Sequence, residues 1–333
     1  YGLDAKYLLC NGPFHVSKWT EKTSVKLAKN NEYNGESSVS PSSVTFYINN
    51  DDSEVADKMN SVTYDVAFLS SSQFSSIENK KDLNSVAVQN VTYSFIFNQN
   101  DNNYRNKNMR LAFCRSCDTS SLFDSQSDIS KADGIVPPSC KIGGEDYRNG
   151  NAAELLSYDE TLAKKNFNDA LLDLGSSSVE TTILCTEQYE PFVKQMVQKL
   201  QKTLGVKFVS TVKVVSESDL EAAVNDGNYS VAFYPFKAKS SFAGEIIEGF
   251  DQNNIFGYES DVLSQKIRNI KNNSGSLEGE RSAVADAENY LVSEAVIMPV
   301  FYENSYFVTS KKTSGIYFYS SADNVCFINA KKS

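Results

Sequence analysis

An α/β fold in two lobes of related design is predicted for this chain of 333 residues, and three observations predict it. The first is an internal repeat. Residues 53–69 read SEVADKMNSVTYDVAFL and residues 218–234 read SDLEAAVNDGNYSVAFY, with six of seventeen aligned positions identical. The second is the setting of each copy. VTFYIN (44–49) precedes the first, STVKVV (210–215) leads into the second, and both end on VAF, so each half reads strand, helix, strand. Such a βαβ unit normally places its two strands parallel in one sheet, with the helix packed on a face. The third is a set of amphipathic helices ended by glycine and set between short β-rich runs. No long low-complexity linker separates the halves, so the lobes are expected to be tightly connected.

The elements follow in order. NGPFHVSKWTEKTSVKLAKNNEYNG (11–35) reads as a hairpin: a turn at Asn11-Gly12-Pro13, apolar Phe14, Val16 and Trp19, a polar bend at Glu21-Lys22-Thr23, then alternating Val25 and Leu27. After the first βαβ unit, VTYSFIFN (91–98) is a strand. NMRLAFCRSCDTSSLF (108–123) has helical spacing, with Asp118 late in it. YDETLAKKNFNDALLDLG (158–175) is a helix with Leu162, Phe167, Ala170, Leu171 and Leu174 on its apolar side, and Gly175 as a C-cap. TTILC (181–185) is a buried strand. EPFVKQMVQKLQKTLGV (190–206) is a second amphipathic helix, stopped by Gly205. SAVADAENYLVSEA (282–295) is a third, feeding the apolar strand VIMPVFY (296–302). SYFVTS and GIYFYS are late strands.

Composition bounds the function. The chain is 41% apolar and 22% charged, which supports an ordinary core, and its length allows two domains. A net charge of −10 argues against a nucleic-acid surface, which needs a basic face. No apolar run is long enough to span a membrane as a helix. The chain opens on Tyr1 and not on Met, so it is expected to be processed or trimmed, and export stays open.

Reactive chemistry is sparse. Cys114 and Cys117 form a lone C-x-x-C, while Cys10, Cys140, Cys185 and Cys326 are scattered. Structural zinc needs four ligands, usually from two such pairs or with histidines nearby. The pair is therefore read as small core residues on a helix, with a local disulfide or a metal as the alternatives. Six cysteines do not settle the redox compartment. His15 is the only histidine, and in the hairpin's alternation it lies opposite Phe14 and Val16, a surface position with no partner for base catalysis. The acidic pairs Asp51-Asp52 and Glu145-Asp146 read as solvated turns, and Gly143-Gly144 as a turn with no phosphate role. There is no nucleophile elbow, zinc-protease motif or phosphate loop. An enzyme is not expected, and neither a cofactor nor a metal.

The order of elements resembles the family 5 extracellular solute-binding proteins of bacterial ABC transporters, the oligopeptide, dipeptide and nickel binders. NGPFHVSKW…VKLAKNNEY is similar to that family's GPY-x-x-x-x-W…x-L-x-x-N-x-x-Y element. VTFYINNDDSEVADKMNSVTYDVAF matches its strand, helix and G-x-x-D-V-A step. YSFIFNQN…NMRLAFCRSCD resembles Y-x-x-x-F-N…V-R-x-A-x-x-x-A-I-D-R: Arg110, Ala112 and Asp118 fall in place, while Thr119 replaces the arginine. VPP (136–138) fits the following loop, YDETLAKKNFNDA resembles Y-D-P-x-K-A-K-x-L-L-x-E-A, FGYESDVLSQKI resembles Y-x-x-x-x-x-D-x-L-x-x-x-A, and SEAVIMPVFYENSYFV matches A-x-x-x-P-x-Y.

The resemblance implies a two-lobed periplasmic-binding-protein-like fold of type II. In the family the opening hairpin follows an earlier stretch of a longer chain. This chain is therefore expected to be the C-terminal portion of such a protein, or a shortened relative. Lobe I is then partial, residues 1–91 plus 303–333, and lobe II, residues 92–302, is complete. The crossings near Thr92 and Tyr302 would be hinge strands. The resemblance further implies a peptide or small-molecule ligand bound where two lobes close over it, an ABC-transporter permease as partner, and a station outside the cytoplasmic membrane. A lipid on an N-terminal part beyond these residues would be the only membrane attachment. A surface receptor, sensor or adhesion protein on the same fold is the alternative.

For the site, the family's peptide binders carry an aromatic residue after the D-V-A strand, and three residues on an aspartate that holds the peptide ammonium. Here that segment is VAFYPFKAKSSF (231–242). Phe236 takes the aromatic place and Lys239 the aspartate's. A lysine repels an ammonium, so the ligand lacks a free amine there, is acidic, or meets a shifted loop. Lys237 with Lys239 suits a carboxylate or other anion; the alternative is two solvated lysines. Tyr234, Phe236, Phe301 and Tyr302 are the aromatic candidates. Phe301 and Tyr302 are neighbours on a strand, so only one of them can face the ligand.

Overall fold

The computed structural model describes residues 8–35, 38–48, 52–119, 122–123, 127–319 and 324–333. The chain forms two compact units, Tyr1–Val88 with Asn304–Ser333, and Gln89–Glu303.

The larger unit is built on a six-stranded mixed sheet. Its order is Phe208–Val214, Val179–Cys185, Val231–Lys237, Val91–Phe97, Ile297–Glu303 and Ile129–Lys131. The first three strands are parallel, and the last three join by antiparallel ladders. Val91–Phe97 lies mid-sheet, and all its residues but Tyr93 are buried, which is why it reads as a nearly continuous apolar run. Helices cover both faces. On one, Phe95 and Phe97 meet helices Lys107–Arg115, Glu160–Leu174 and Glu190–Leu204 through Phe113, Phe167 and Met196. On the other, Ile96 meets helices Glu217–Asn225, Gly244–Glu248, Asp261–Asn272 and Leu277–Ser293 through Leu220, Ile247, Ile267 and Leu291. Each fully buried phenylalanine contributes about 1.5–3 kcal/mol.

Local signals set the helix ends. The Asp159 side chain accepts from Leu162 N at the start of Glu160–Leu174, and Gly175 closes it at φ 61°, donating to the Leu171 and Leu172 carbonyls. Pro191 sits in the first turn of Glu190–Leu204, and Gly205 ends that helix at φ 78°. Arg110 is buried. Its guanidinium donates to the carbonyls of Tyr104 (2.7 Å), Arg105 (3.0 Å), Glu294 (3.1 Å) and Ala295 (3.0 Å). It thereby satisfies the open carbonyl ends of helices Asn102–Arg105 and Leu277–Ser293.

The smaller unit contains an antiparallel sheet of Phe14–Thr20, Ser24–Lys29 and Ser43–Tyr47. The bend at 21–23 joins the first two strands, and His15 is exposed. A second sheet places Ser305–Ser310 between Val66–Ser70 and Leu83–Val88. Helices Asp52–Asn60 and Ser71–Ser76 accompany it, over a small core of Ala56, Met59, Leu69, Leu83 and Val308.

Several expectations are corrected. The first βαβ reading fails: Ser43–Tyr47 and Val66–Ser70 lie in different sheets, and the latter pairs antiparallel with Ser305–Ser310. Alternation specifies a strand but not its partner, and here a remote segment wins. In the second unit the outer strands are parallel, as expected, but Val179–Cys185 lies between them. The helix expected over 108–123 ends at Arg115, where Ser116 turns its hydroxyl back to the Ala112 carbonyl. Asp118 and Cys117 lie beyond the helix. The helix expected to start at 282 starts at Leu277, capped by Ser276 (Oγ to Gly279 N, 3.2 Å) and masked in sequence by Gly279. Cys114 and Cys117 are both buried free thiols, so the disulfide alternative is not made. Glu145 and Asp146 are exposed on a two-residue strand, and Gly143 and Gly144 form its turn with positive φ. Asp51 lies outside the described residues.

Candidate functional site

In an open α/β sheet, ligands bind beyond the carboxyl ends of the parallel strands, where backbone and loops are free to face them. Applied to Gln89–Glu303, this rule selects one end of the sheet. Cys185, Val214 and Lys237 end the three parallel strands there. Antiparallel pairing brings the start of Val91–Phe97 and the finish of Ile297–Glu303 to the same end: Thr92 is registered with Phe236 on one side and Tyr302 on the other. An open concavity of about 560 Å³ lies at this end, lined by residues 186–188 and 214–217 with Asp219. Glu187, Glu217 and Asp219 are all exposed in it.

Beside it stands an aromatic cluster of which only Phe301 was among the candidates chosen from sequence. Tyr93 packs at 4.4 Å from Tyr189 and 5.0 Å from Phe301 between ring centroids, with Phe233 at 5.6 Å. The Tyr189 hydroxyl donates to Glu303 Oε1 (3.0 Å) and accepts from Gln188 Nε2 (3.2 Å). Burial pushes both tyrosine hydroxyls well above their ordinary range, and the Glu303 charge adds to it, so both stay neutral. The available signal was positional. Tyr189 follows TTILCT, at the carboxyl end of a parallel strand, and Glu303 closes VIMPVFY.

The residues selected from sequence separate into two groups. Tyr234 is half-buried, and its ring meets Phe236 edge-on at 5.7 Å. Phe236 is buried, stacked on Phe250 and tilted against Phe256, both at 5.7 Å. Its ring is committed to the core. Tyr302 is also buried; its hydroxyl accepts from Asp133 N (3.0 Å) and faces the Gly134 carbonyl (3.4 Å). Phe301 faces the opposite side of the sheet, within the Tyr93–Tyr189 cluster. Lys237, registered with Val91, and Lys239, two residues on, are exposed. The lysines thus stand at the sheet end, while Phe236 and Tyr302 flank Thr92 inside it. Among the described residues, no group of three or more His, Cys, Asp and Glu side chains is placed to hold a metal.

Comparison with known proteins bears on this geometry. The dipeptide-binding protein DppE of Bacillus subtilis is 23% identical over 314 residues, covering 92% of this chain. The chain spans 57% of the length of that curated relative. The substrate-binding domain of an oligopeptide ABC transporter from Bacillus anthracis superposes with a TM-score of 0.78 at 17% identity, over 100% of this chain and 67% of its own. OppA of Listeria monocytogenes, bound to peptide, gives 0.77 at 19% identity, over 99% and 66%. These likenesses show the two-lobed, type II periplasmic-binding-protein fold. The family model described as bacterial extracellular solute-binding proteins, family 5 middle, matches residues 2–256, and the chain belongs to that family.

Proposed function

We propose that this chain is a large part of the peptide-binding component of an ABC importer. It takes a peptide or a related small solute at the strand ends marked by Tyr93, Tyr189, Lys237 and Lys239, and delivers it to a membrane permease. Residues 92–302 serve as a complete lobe II, and 1–91 with 303–333 as part of lobe I. The observation that carries the reading is the family match over residues 2–256. A relative named for dipeptide binding and a solved neighbour bound to peptide support the ligand class. The chemistry of the sheet end agrees. Exposed carboxylates at Glu187 and Glu217 line the concavity next to Tyr189, and the exposed Lys237 and Lys239 lie at and just beyond the end of the neighbouring strand. A peptide with free termini presents both charges to such a surface. No step in this reading breaks a bond. Its station is outside the cytoplasmic membrane, held by a lipid on a part beyond these residues. Among the described residues, no helix is long and apolar enough to cross a membrane.

Native mass spectrometry of the full-length gene product, as purified from cells, tests this. A ladder of peptide masses is expected. Substituting Lys237→Ala with Lys239→Ala should weaken binding of free-acid peptides at least tenfold, about 1.4 kcal/mol, and spare C-terminally amidated ones. A single small anionic mass would replace the peptide by an acidic solute. No adduct, even after incubation with peptide mixtures, would overturn the reading.

A further inference from the structure

The chain leaves the larger unit at two points, Val88 to Gln89 and Glu303 to Asn304. Both lie against one irregular segment, residues 129–148. At the first, Gln89 N donates to Ser139 Oγ (3.1 Å), Ser139 N donates back to the Gln89 carbonyl (3.0 Å), and Gln89 Nε2 reaches Ser130 Oγ (2.9 Å). At the second, Glu303 and Tyr302 pair with Ile129 and Ser130, and Asp133 N donates to the Tyr302 hydroxyl. The same segment reaches the loop that follows Lys237. Lys141 N donates to the Ser241 carbonyl (2.6 Å), and Ala243 N donates to the Lys141 carbonyl (3.1 Å). That loop is tied in turn to the first exit through Ala238 N and the Asn90 carbonyl (3.1 Å).

One buried carboxylate anchors the segment to helix Leu277–Ser293. Glu288 accepts from Ile135 N (2.7 Å), Val136 N (2.9 Å), the Tyr147 hydroxyl (3.0 Å) and Arg148 Nη1 (2.9 Å), and also pairs with Arg148 Nη2. Arg148 Nε donates to the Val136 carbonyl (2.7 Å). A Cβ at Gly134 would run into both charged groups, so only glycine lets the backbone pass so close. A buried ion pair is a weak source of net stability, and its best-attested use is to impose one arrangement.

We propose that residues 129–148 form a clasp that makes the two exits and the 238–243 loop one mechanical element, with Glu288 as its positioning residue. A displacement of the loop beside Lys239 is then transmitted to both exits through backbone hydrogen bonds. What that transmission serves rests on the peptide-binding reading above; the linkage itself does not.

Residue-resolved hydrogen exchange of the ligand-free, full-length protein tests it. Glu288→Gln keeps the side-chain shape but removes the charge and half of the acceptors. The amides of Gln89, Ser139, Lys141, Ala238 and Ala243 should exchange together at least tenfold faster, while helix Glu190–Leu204 keeps its protection. Acceleration confined to Ile135 and Val136, the direct donors, would overturn the clasp. If Glu288→Gln unfolds the whole unit, Ser139→Ala serves. It removes only the acceptor of Gln89 N, and it should speed exchange at Lys141 and Ala238. Unchanged exchange at those two amides would overturn the proposal as well.

Discussion

Glu288 and Arg148 form an ion pair in which both side chains are buried, with 1% and 8% of their surfaces exposed. Ion pairs such as Lys107–Glu294, Lys141–Asp146, Lys164–Glu160 and Lys165–Asp169 each have at least one solvent-exposed partner and contribute little. Here burial opposes the Arg148 charge, but Glu288 together with Tyr302 and Tyr147 holds the guanidinium above its ordinary pKa. Arg148→Met leaves the buried Glu288 side chain without its ion-pair partner, and should cost about 3–5 kcal/mol in chemical denaturation. Gly134→Ala wedges a methyl group into the pair and should cost about 1–3 kcal/mol. An unchanged midpoint for either variant would mean that the pair is solvated.

The buried thiols predict an alkaline limit. Burial pushes Cys114, Cys117 and Cys140 up to about 12 and Cys185 to about 11, from an ordinary 9.0. Above pH 9 the unfolded chain releases these protons while the folded chain keeps them. The unfolded state then binds fewer protons, so stability falls as pH rises. Stability should therefore be undiminished by these groups below pH 9 and decline from there toward pH 12. Iodoacetamide on the native protein should label the half-exposed Cys10 and Cys326 first, and the four buried thiols only as the protein unfolds.

Arg110 stands where the family motif places an arginine, and the structure supplies the reason. Four carbonyls from two helix ends converge on its planar fork. A lysine is a point donor and reaches fewer of them. Arg110→Lys should lower stability by about 2–4 kcal/mol, read as a lowered denaturation midpoint with secondary structure retained.

Exposed aromatic side chains concentrate in the smaller unit. Trp19, Phe46, Tyr47, Phe68, Tyr317 and Tyr319 are exposed, whereas Tyr158 is the one exposed large aromatic described in the larger unit. Exposed aromatic side chains in this number favour association. The 333-residue chain should associate as its concentration rises, and Phe46→Lys with Tyr47→Lys should suppress this in sedimentation velocity. Equal association by the variant would place the contact elsewhere.

Much of the candidate site was legible only in outline. Lys237 and Lys239 were reachable by counting along the segment after VAF, and both stand exposed at the sheet end. Phe236 occupies the matching position but is packed on Phe250 and Phe256, from turns beyond helix Gly244–Glu248 that strand alternation cannot locate. Tyr189, Tyr93 and Glu303 come from three separate segments, and only sheet order brings them together.

Elements whose causes are local can be read directly from their residues. Helices Glu160–Leu174 and Glu190–Leu204 end where glycine adopts positive φ, and the 11–35 hairpin turns at its polar bend. The ordered motifs were enough to indicate the family. Tertiary structure alone decided that Val66–Ser70 joins Ser305–Ser310 in place of Ser43–Tyr47, and that Glu288 closes on Arg148 and the 135–136 amides. Hydrophobic periodicity acts within a few residues, whereas strand partners and buried charge pairs are chosen by the free energy of the whole packed unit, which no local window contains.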